Sequence, residues 1–198
     1  MNTDQKTEID WNAELAEQLE WHWQHQLRPR LDGLTDDEYF WQPVPGCWTL
    51  SPRGQSAAPI SVGGGKFTMD YALPPPDPEP VTTIAWRLAH IIVAVFALRN
   101  ATHFGGPPAD YATWHYAGSA DEALAQLDAA HAAWIAGVSG LGADGLAFCV
   151  GPLEAGGAFA DAPMASLVLH IHREAIHHGA EIALLRDLYR WKENRGGI

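Results

Sequence analysis

The sequence predicts an all-α protein, a four-helix bundle with one long irregular crossover loop between helices 1 and 2. Three observations predict it. Apolar residues recur at a helical interval in four separate stretches. A Gly- and Pro-rich segment, residues 41–81, separates the first two. No apolar/polar alternation runs longer than a few residues, and no internal repeat is present.

The first helix covers about residues 10–31, "DWNAELAEQLEWHWQHQLRPRL", where Trp11, Leu15, Leu19, Trp23 and Leu27 recur on one side. Pro29 kinks or closes it. "TDDE" at Thr35–Glu38 matches a capping box for a short helical turn. Residues 41–81 contain "QPVPGCW", "SPRGQSAAP", "VGGGKFTMDY" and "PPPDPEP", and no helix survives that punctuation. A loop of this length within one domain is usually functional. Trp48, Phe67 and Tyr71 predict that it packs down onto the helices. We prefer this to a linker between domains, because neither flank is long enough for a typical separate domain. The second helix, about 82–102, is apolar almost all round and should be buried on most sides. The third, about 119–138, opens on the capping box "SADE" and presents Leu124, Leu127, His131, Trp134 and Val138 on one face before "GVSGLGADG" stops it. The fourth, about 163–191, starts at Pro163, a favourable first-turn residue after Asp161. Residues 1–198 are expected to form a single domain.

Composition excludes several classes. The chain is 47% hydrophobic and 18% charged, and its nine tryptophans call for buried ring surface. A formal charge of −12 disfavours nucleic acid and anionic membrane surfaces, and otherwise serves solubility. Cys47 and Cys149 show no metal-motif spacing and give no indication of a disulfide. The N-terminus lacks a basic region followed by an apolar run, so no signal peptide is expected. No apolar stretch approaches ~18 residues, so no membrane span is expected. The default is a reduced, cytoplasmic protein with a small-molecule substrate.

The stretch "LVLHIHREAIHHGAEIALL", residues 167–185, carries the strongest functional signal. On a helical wheel His170, Glu174, His177, His178 and Glu181 fall within an arc of roughly 100°. His172 and Arg173 point elsewhere. Leu167, Leu185 and Leu188 share the arc and Ile171 borders it, which predicts a core-facing stripe interrupted by ionisable groups. Burying such groups unpaired costs several kcal/mol each, and a divalent cation would neutralise them. A lone histidine on an apolar helix, as His90 is, is ordinarily a satisfied core residue. Here the fourth helix needs a partner, and we read His90 as that partner. The favoured ligands are His90, Glu174 and His178, the last two one turn apart. Two imidazoles and a carboxylate leave open coordination positions, a catalytic rather than a structural arrangement. His177 in place of His178, or His170 joining from the preceding turn, are the alternatives. Adjacent histidines point about 100° apart, so only one of the pair should ligate. The other, with Glu181, would orient a ligand or act as acid and base.

The segments "LRPRLDGLTDDEYFWQPVPGCW", "TTIAWRLAHI" and "HREAIHHGAEIALLRDLY" resemble the DinB-like superfamily, which includes mycothiol- and bacillithiol-dependent enzymes. The resemblance, with the helical spacing, covers most of the chain. It implies an up-down-down-up four-helix bundle, commonly a homodimer, with a three-histidine metal site. One ligand comes from the second helix and two, four residues apart, from the last. Carried over, these positions are His90, position 174 and His178. Here position 174 is glutamate, which can ligate zinc, nickel or iron, with zinc favoured.

The resemblance further implies a divalent-metal-dependent enzyme that activates a low-molecular-weight thiol, mycothiol or bacillithiol, or water, for S-transfer or hydrolysis in detoxification or stress. One rival is a non-catalytic binding or stress protein with a buried, fully satisfied polar network. A weaker one is a ferritin-like di-metal oxidase, since Glu174-x-x-His177 has the spacing of such sites and Asp128-x-x-His131 is the nearest second copy. Gly63–Gly65 before Lys66 lacks phosphate-loop spacing. His22 and His25 are expected near the surface of the first helix, and His103 and His115 carry no spacing argument.

Overall fold

The computed structural model describes residues 8–154 and 159–195. Among them are six helices and one three-stranded sheet. Helix α1 spans residues 11–30 in three joined pieces: Trp11–His22 is α-helical, Trp23–Leu27 is a π-helix and Arg28–Arg30 is α-helical again. The Asp10 carboxylate starts it by accepting the backbone N–H groups of Asn12 at 3.0 Å and Ala13 at 3.1 Å. The π-segment lies just ahead of Pro29, whose ring would otherwise meet the carbonyl four residues back. Helix α2, Asp36–Tyr39, is capped by Thr35, which accepts from the Glu38 N–H.

Residues 41–81 depart from the expectation of an irregular loop. They contain strands β1 (Leu50–Pro52), β2 (Ile60–Val62) and β3 (Phe67–Tyr71) in the order β1-β3-β2, both pairings antiparallel. Strands of three to five residues are too short to display a period of two, so they leave no pattern legible in the sequence. The Asp70 carboxylate ties the sheet together. It accepts the Thr49 N–H at 2.9 Å and the Ser56 hydroxyl at 2.6 Å, while the Asp70 carbonyl accepts the Trp86 indole N–H at 2.8 Å.

Helix α3, Ile84–His103, starts at the Thr83 cap and contains a second π-segment, Ile91–Ala97. It corrects one expectation: its 20 residues are long and apolar enough to cross a membrane, yet 67% of that window is buried inside the chain, as in a core helix. Helix α4, Ala120–Ser139, begins at Ser119, which accepts the Glu122 N–H, and the Glu122 carboxylate accepts the Gly118 N–H in return. "GVSGLGADG" ends α4 but also starts helix α5, Gly142–Ala147, after Gly142 turns the chain at φ 63°. Helix α6, Met164–Arg195, is the longest element.

Both α1 and α3 pack against α4, and both also pack against α6. The core between them includes Leu19, Leu88, Ile92, Leu127, Trp134 and Leu167. Trp134 alone of the nine tryptophans is buried in the strict sense. Trp11 and Trp21 stand mostly in solvent, while Trp48 and Trp86 are half-buried around a cavity.

Candidate metal centre

Stepping one turn back along α3, from His90 to Arg87, matches stepping forward along α6 from His178 to Glu181. His178 is central. Its Nδ1 lies 2.7 Å from Glu181 Oε2, its Nε2 lies 3.4 Å from Glu174 Oε2, and the His90 ring meets it edge-on with centroids 4.7 Å apart. Arg87 Nε stands 2.9 Å from the same Glu181 oxygen, and Arg87 Nη1 lies 3.4 Å from His178 Nδ1. A carboxylate accepts and a guanidinium only donates, so His178 Nδ1 donates to Glu181 in one tautomer and accepts from Arg87 in the other; the 2.7 Å contact is the shorter. With Nδ1 donating to Glu181, Nε2 offers a lone pair toward a second carboxylate, Glu174. Two acceptors that close need a cation or a proton between them. Ligand atoms about 2.0–2.1 Å from a tetrahedral zinc stand roughly 3.3 Å apart, so the spacing suits an ion.

His90 approaches His178 from the facing helix, but its ring nitrogens do not join the ligand atoms of Glu174 and His178 in a group within 4.8 Å of one another. Its ring stacks on Trp86, with centroids 5.6 Å apart and planes 6° apart, and its Nδ1 lies 3.4 Å from the Tyr111 hydroxyl. Burial, reinforced by His178, Arg87 and Arg99, pushes its pKa down to about 3, so the imidazole is neutral, as a ligand requires. His170 lies one turn before Glu174, with Nδ1 3.4 Å from Glu174 Oε1 and 2.7 Å from Arg173 Nη2. Burial lowers its pKa as well.

Two sequence expectations change here. The stripe does not run down the middle of the buried face. The deepest line of α6 is Met164, Leu167, Ile171, Ala175, Gly179, Ile182 and Arg186, and the stripe flanks it: His178 is largely buried, while the His177 side chain is 65% exposed. Gly179 sets this position, because a Cβ there would meet Leu27 of α1 at 2.9 Å. His172, read as pointing elsewhere, points into the core and is 1% exposed.

The second change concerns the adjacent histidines. Among the described residues, one group of three metal-type side chains has its ligand atoms within 4.8 Å of one another: His177, His178 and Glu181. Glu181 lies four residues from His177 and three from His178, so it reaches both rings, at 3.7 Å and 2.7 Å. This cluster could hold a metal, but the Arg87 guanidinium already neutralises Glu181 on that side. Beside its two histidine neighbours, Glu174 has among the described residues one arginine in range, the largely solvated Arg173, 3.7 Å from its other oxygen.

The residues 41–81 segment encloses a cavity of about 470 Å3 against α3. Trp48, Met69, Tyr71, Trp86 and Tyr111 form its walls, and His90 and Arg87 stand at one end. The sequence reading missed Arg87 and Tyr111. Arg87 carried a signal, being one turn before His90; Tyr111 lies in a loop and carried none.

A model of the DinB superfamily matches residues 18–182. The chain belongs to the DinB superfamily. No curated protein and no solved structure matches it. The superfamily includes metal-dependent enzymes, and the matched residues include His90, Glu174 and His178.

The remaining sequence candidates lie elsewhere. Asp128 pairs with Arg28 at 2.8 Å and His131 stacks on Trp23 at 3.8 Å, so neither supplies the second half of a di-metal site beside Glu174 and His177. His25 is exposed and stacks on Trp21, whereas the Nε2 of His22 is buried. His103 pairs with the buried Glu154 at 3.0 Å. Gly64 is a close-approach residue: a Cβ there would sit 2.2 Å from the Thr113 carbonyl oxygen.

Proposed function

We propose that this DinB protein is a divalent-metal-dependent enzyme of thiol S-transfer or hydrolysis, with His90, Glu174 and His178 as ligands. The observation that carries the reading is the His178 ring, its Nδ1 2.7 Å from Glu181 and its Nε2 3.4 Å from Glu174. A bound zinc, nickel or iron ion would lower the pKa of a coordinated thiol or water and make it nucleophilic at neutral pH. Glu181 fixes the His178 tautomer and raises the basicity of Nε2, the usual part of a carboxylate behind a ligating histidine. Arg87 holds Glu181 in place. His177, exposed and one turn from Glu181, exchanges protons between that carboxylate and solvent. We read the long helices as an up-down-down-up bundle, since Asn12 bonds Ser139 while Arg30 bonds Asp187, which sets α1 antiparallel to α4 and parallel to α6. The solvent-facing Leu184 and Leu188 of α6 support a homodimer.

A second reading has its own support. His170, Glu174, His178 and Glu181 each have a protein partner, as a satisfied network in a binding protein would. Elemental analysis of the purified protein decides between them. Near one equivalent of metal, lost in Glu174→Ala and in His178→Ala, is the expected result. No metal, together with no thermal shift on adding zinc, nickel or iron, would leave the network reading.

A further inference from the structure

The cavity beside His90 has a composition that selects its ligand. Tyr71, Trp48, Trp86 and His90 follow one another along its wall, with successive ring centroids 6.4, 5.9 and 5.6 Å apart. The Trp86 N–H, the one strong donor of that side chain, is spent on the Asp70 carbonyl, so the ring offers the cavity only its face and edge. Met69 and Ala72 of the sheet segment are buried and close another side. The Tyr111 hydroxyl and Arg87 flank His90, and Glu79 and Thr82 complete the polar part of the lining. Arg87 is paired with Glu181 and also sits in the field of Glu79, so the charges of the lining are of both signs and offset one another.

We propose that the cavity binds a neutral aromatic molecule whose polar substituent points at His90. Flat rings gain from the tilted aromatic faces, and a volume of about 470 Å3 accepts a fused bicyclic body with room for a substituent. A hydroxyl-rich ligand is disfavoured, because its hydrogen bonds to water would be lost without replacement. The cavity is therefore the seat of the electrophilic substrate, not of a sugar-bearing thiol. The occupant's status as substrate rests on the metal-dependent reading above; its binding does not.

The test is calorimetric titration of the chelator-treated wild-type protein with 2-naphthol, with glucose and adenosine monophosphate as polar comparisons. Saturable binding of 2-naphthol alone is expected. Loss of one aromatic wall in Tyr71→Ala should weaken it about three- to tenfold, the worth of one aromatic pair. Tyr71 is 41% exposed, so the variant should fold, and circular dichroism checks that it does. No saturable heat with 2-naphthol, equal affinity in Tyr71→Ala, or tighter binding of glucose or the nucleotide would each overturn the proposal. Binding of 2-naphthol by a protein that takes up no metal would sink the enzymatic reading and leave this one standing. Metal uptake without 2-naphthol binding would do the reverse.

Discussion

Arg186 is the most constrained single residue. It is 0% exposed, and its guanidinium forms a two-pronged pair with the buried Glu38, Nε to Oε1 at 2.6 Å and Nη2 to Oε2 at 2.9 Å. Nη1 donates to the backbone carbonyls of Arg30 and Asp32. One side chain thus ties α6 to α2 and to the end of α1. Arg186→Ala would strand the Glu38 charge in the core and should cost about 3–5 kcal/mol, readable from urea unfolding. Adding Glu38→Leu to that variant should recover part of the loss, because the penalty lies in the orphaned carboxylate. No recovery would mean that the backbone carbonyls, not the ion pair, are the main debt. In the sequence Arg186 sits in "LLRDLY" and looks like any surface arginine. His172 was hidden in the same way: its own helix reveals its angle, but only the neighbouring α4 reveals that the angle leads inward.

At the scale of elements, the sheet holds the aromatic cavity in place, and Asp70 holds the sheet. Asp70 is 4% exposed and spends its carboxylate within the segment and its carbonyl on α3. Asp70→Ala leaves the Thr49 N–H and the Ser56 hydroxyl without that acceptor, a loss of about 1–3 kcal/mol. The expected signature is local. Amide hydrogen exchange should rise across residues 48–71 while α4 and α6 keep their protection. Exchange rising uniformly would mean that the sheet and helices unfold as one unit. The four long helices were legible because 3.6-residue periodicity is a property of each segment alone. The π-segments Trp23–Leu27 and Ile91–Ala97 were not, since composition does not separate a π-turn from an α-turn. The second of them begins directly after His90, so it sets how that side chain is aimed relative to the rest of α3.

At the scale of the molecule, the core contains polar rings whose nitrogens lack hydrogen-bond partners among the described residues. His131 and His172 are almost wholly buried, and His172 Nδ1 and Nε2, His131 Nε2 and Trp134 Nε1 have no hydrogen-bond partner among the described residues. Burial lowers the pKa of His131 and of His172 to about 4 each, His172 being lowered further by His131. Above the unfolded value of about 6.5 these rings are neutral in both states and contribute no pH dependence. As pH falls below that value the unfolded chain takes up protons that the folded chain refuses, so stability drops down to about pH 4. The two histidines together should remove a few kcal/mol over that interval, on the order of 3 kcal/mol each at most. Urea midpoints measured at pH 7.5 and 4.5 should show the fall, and His172→Leu should show a shallower one. A pH dependence unchanged in that variant would place the acid sensitivity elsewhere.

The helices, the capping residues Thr35 and Ser119, and the family were all readable from the chain, because each depends on neighbours within a few residues or on a local motif. So was the stripe on α6, whose i, i+3 and i+4 spacing brings Glu174, His178 and Glu181 together within one helix. What only the tertiary structure decided is which side of His178 faces a fixed positive charge, since Arg87 arrives from a helix some ninety positions away. It likewise decided that residues 41–81 form a sheet with an aromatic cavity, because strands of three to five residues exist only through their partners. Periodicity encodes what a segment is, whereas a site between segments is encoded by contacts that no local window contains.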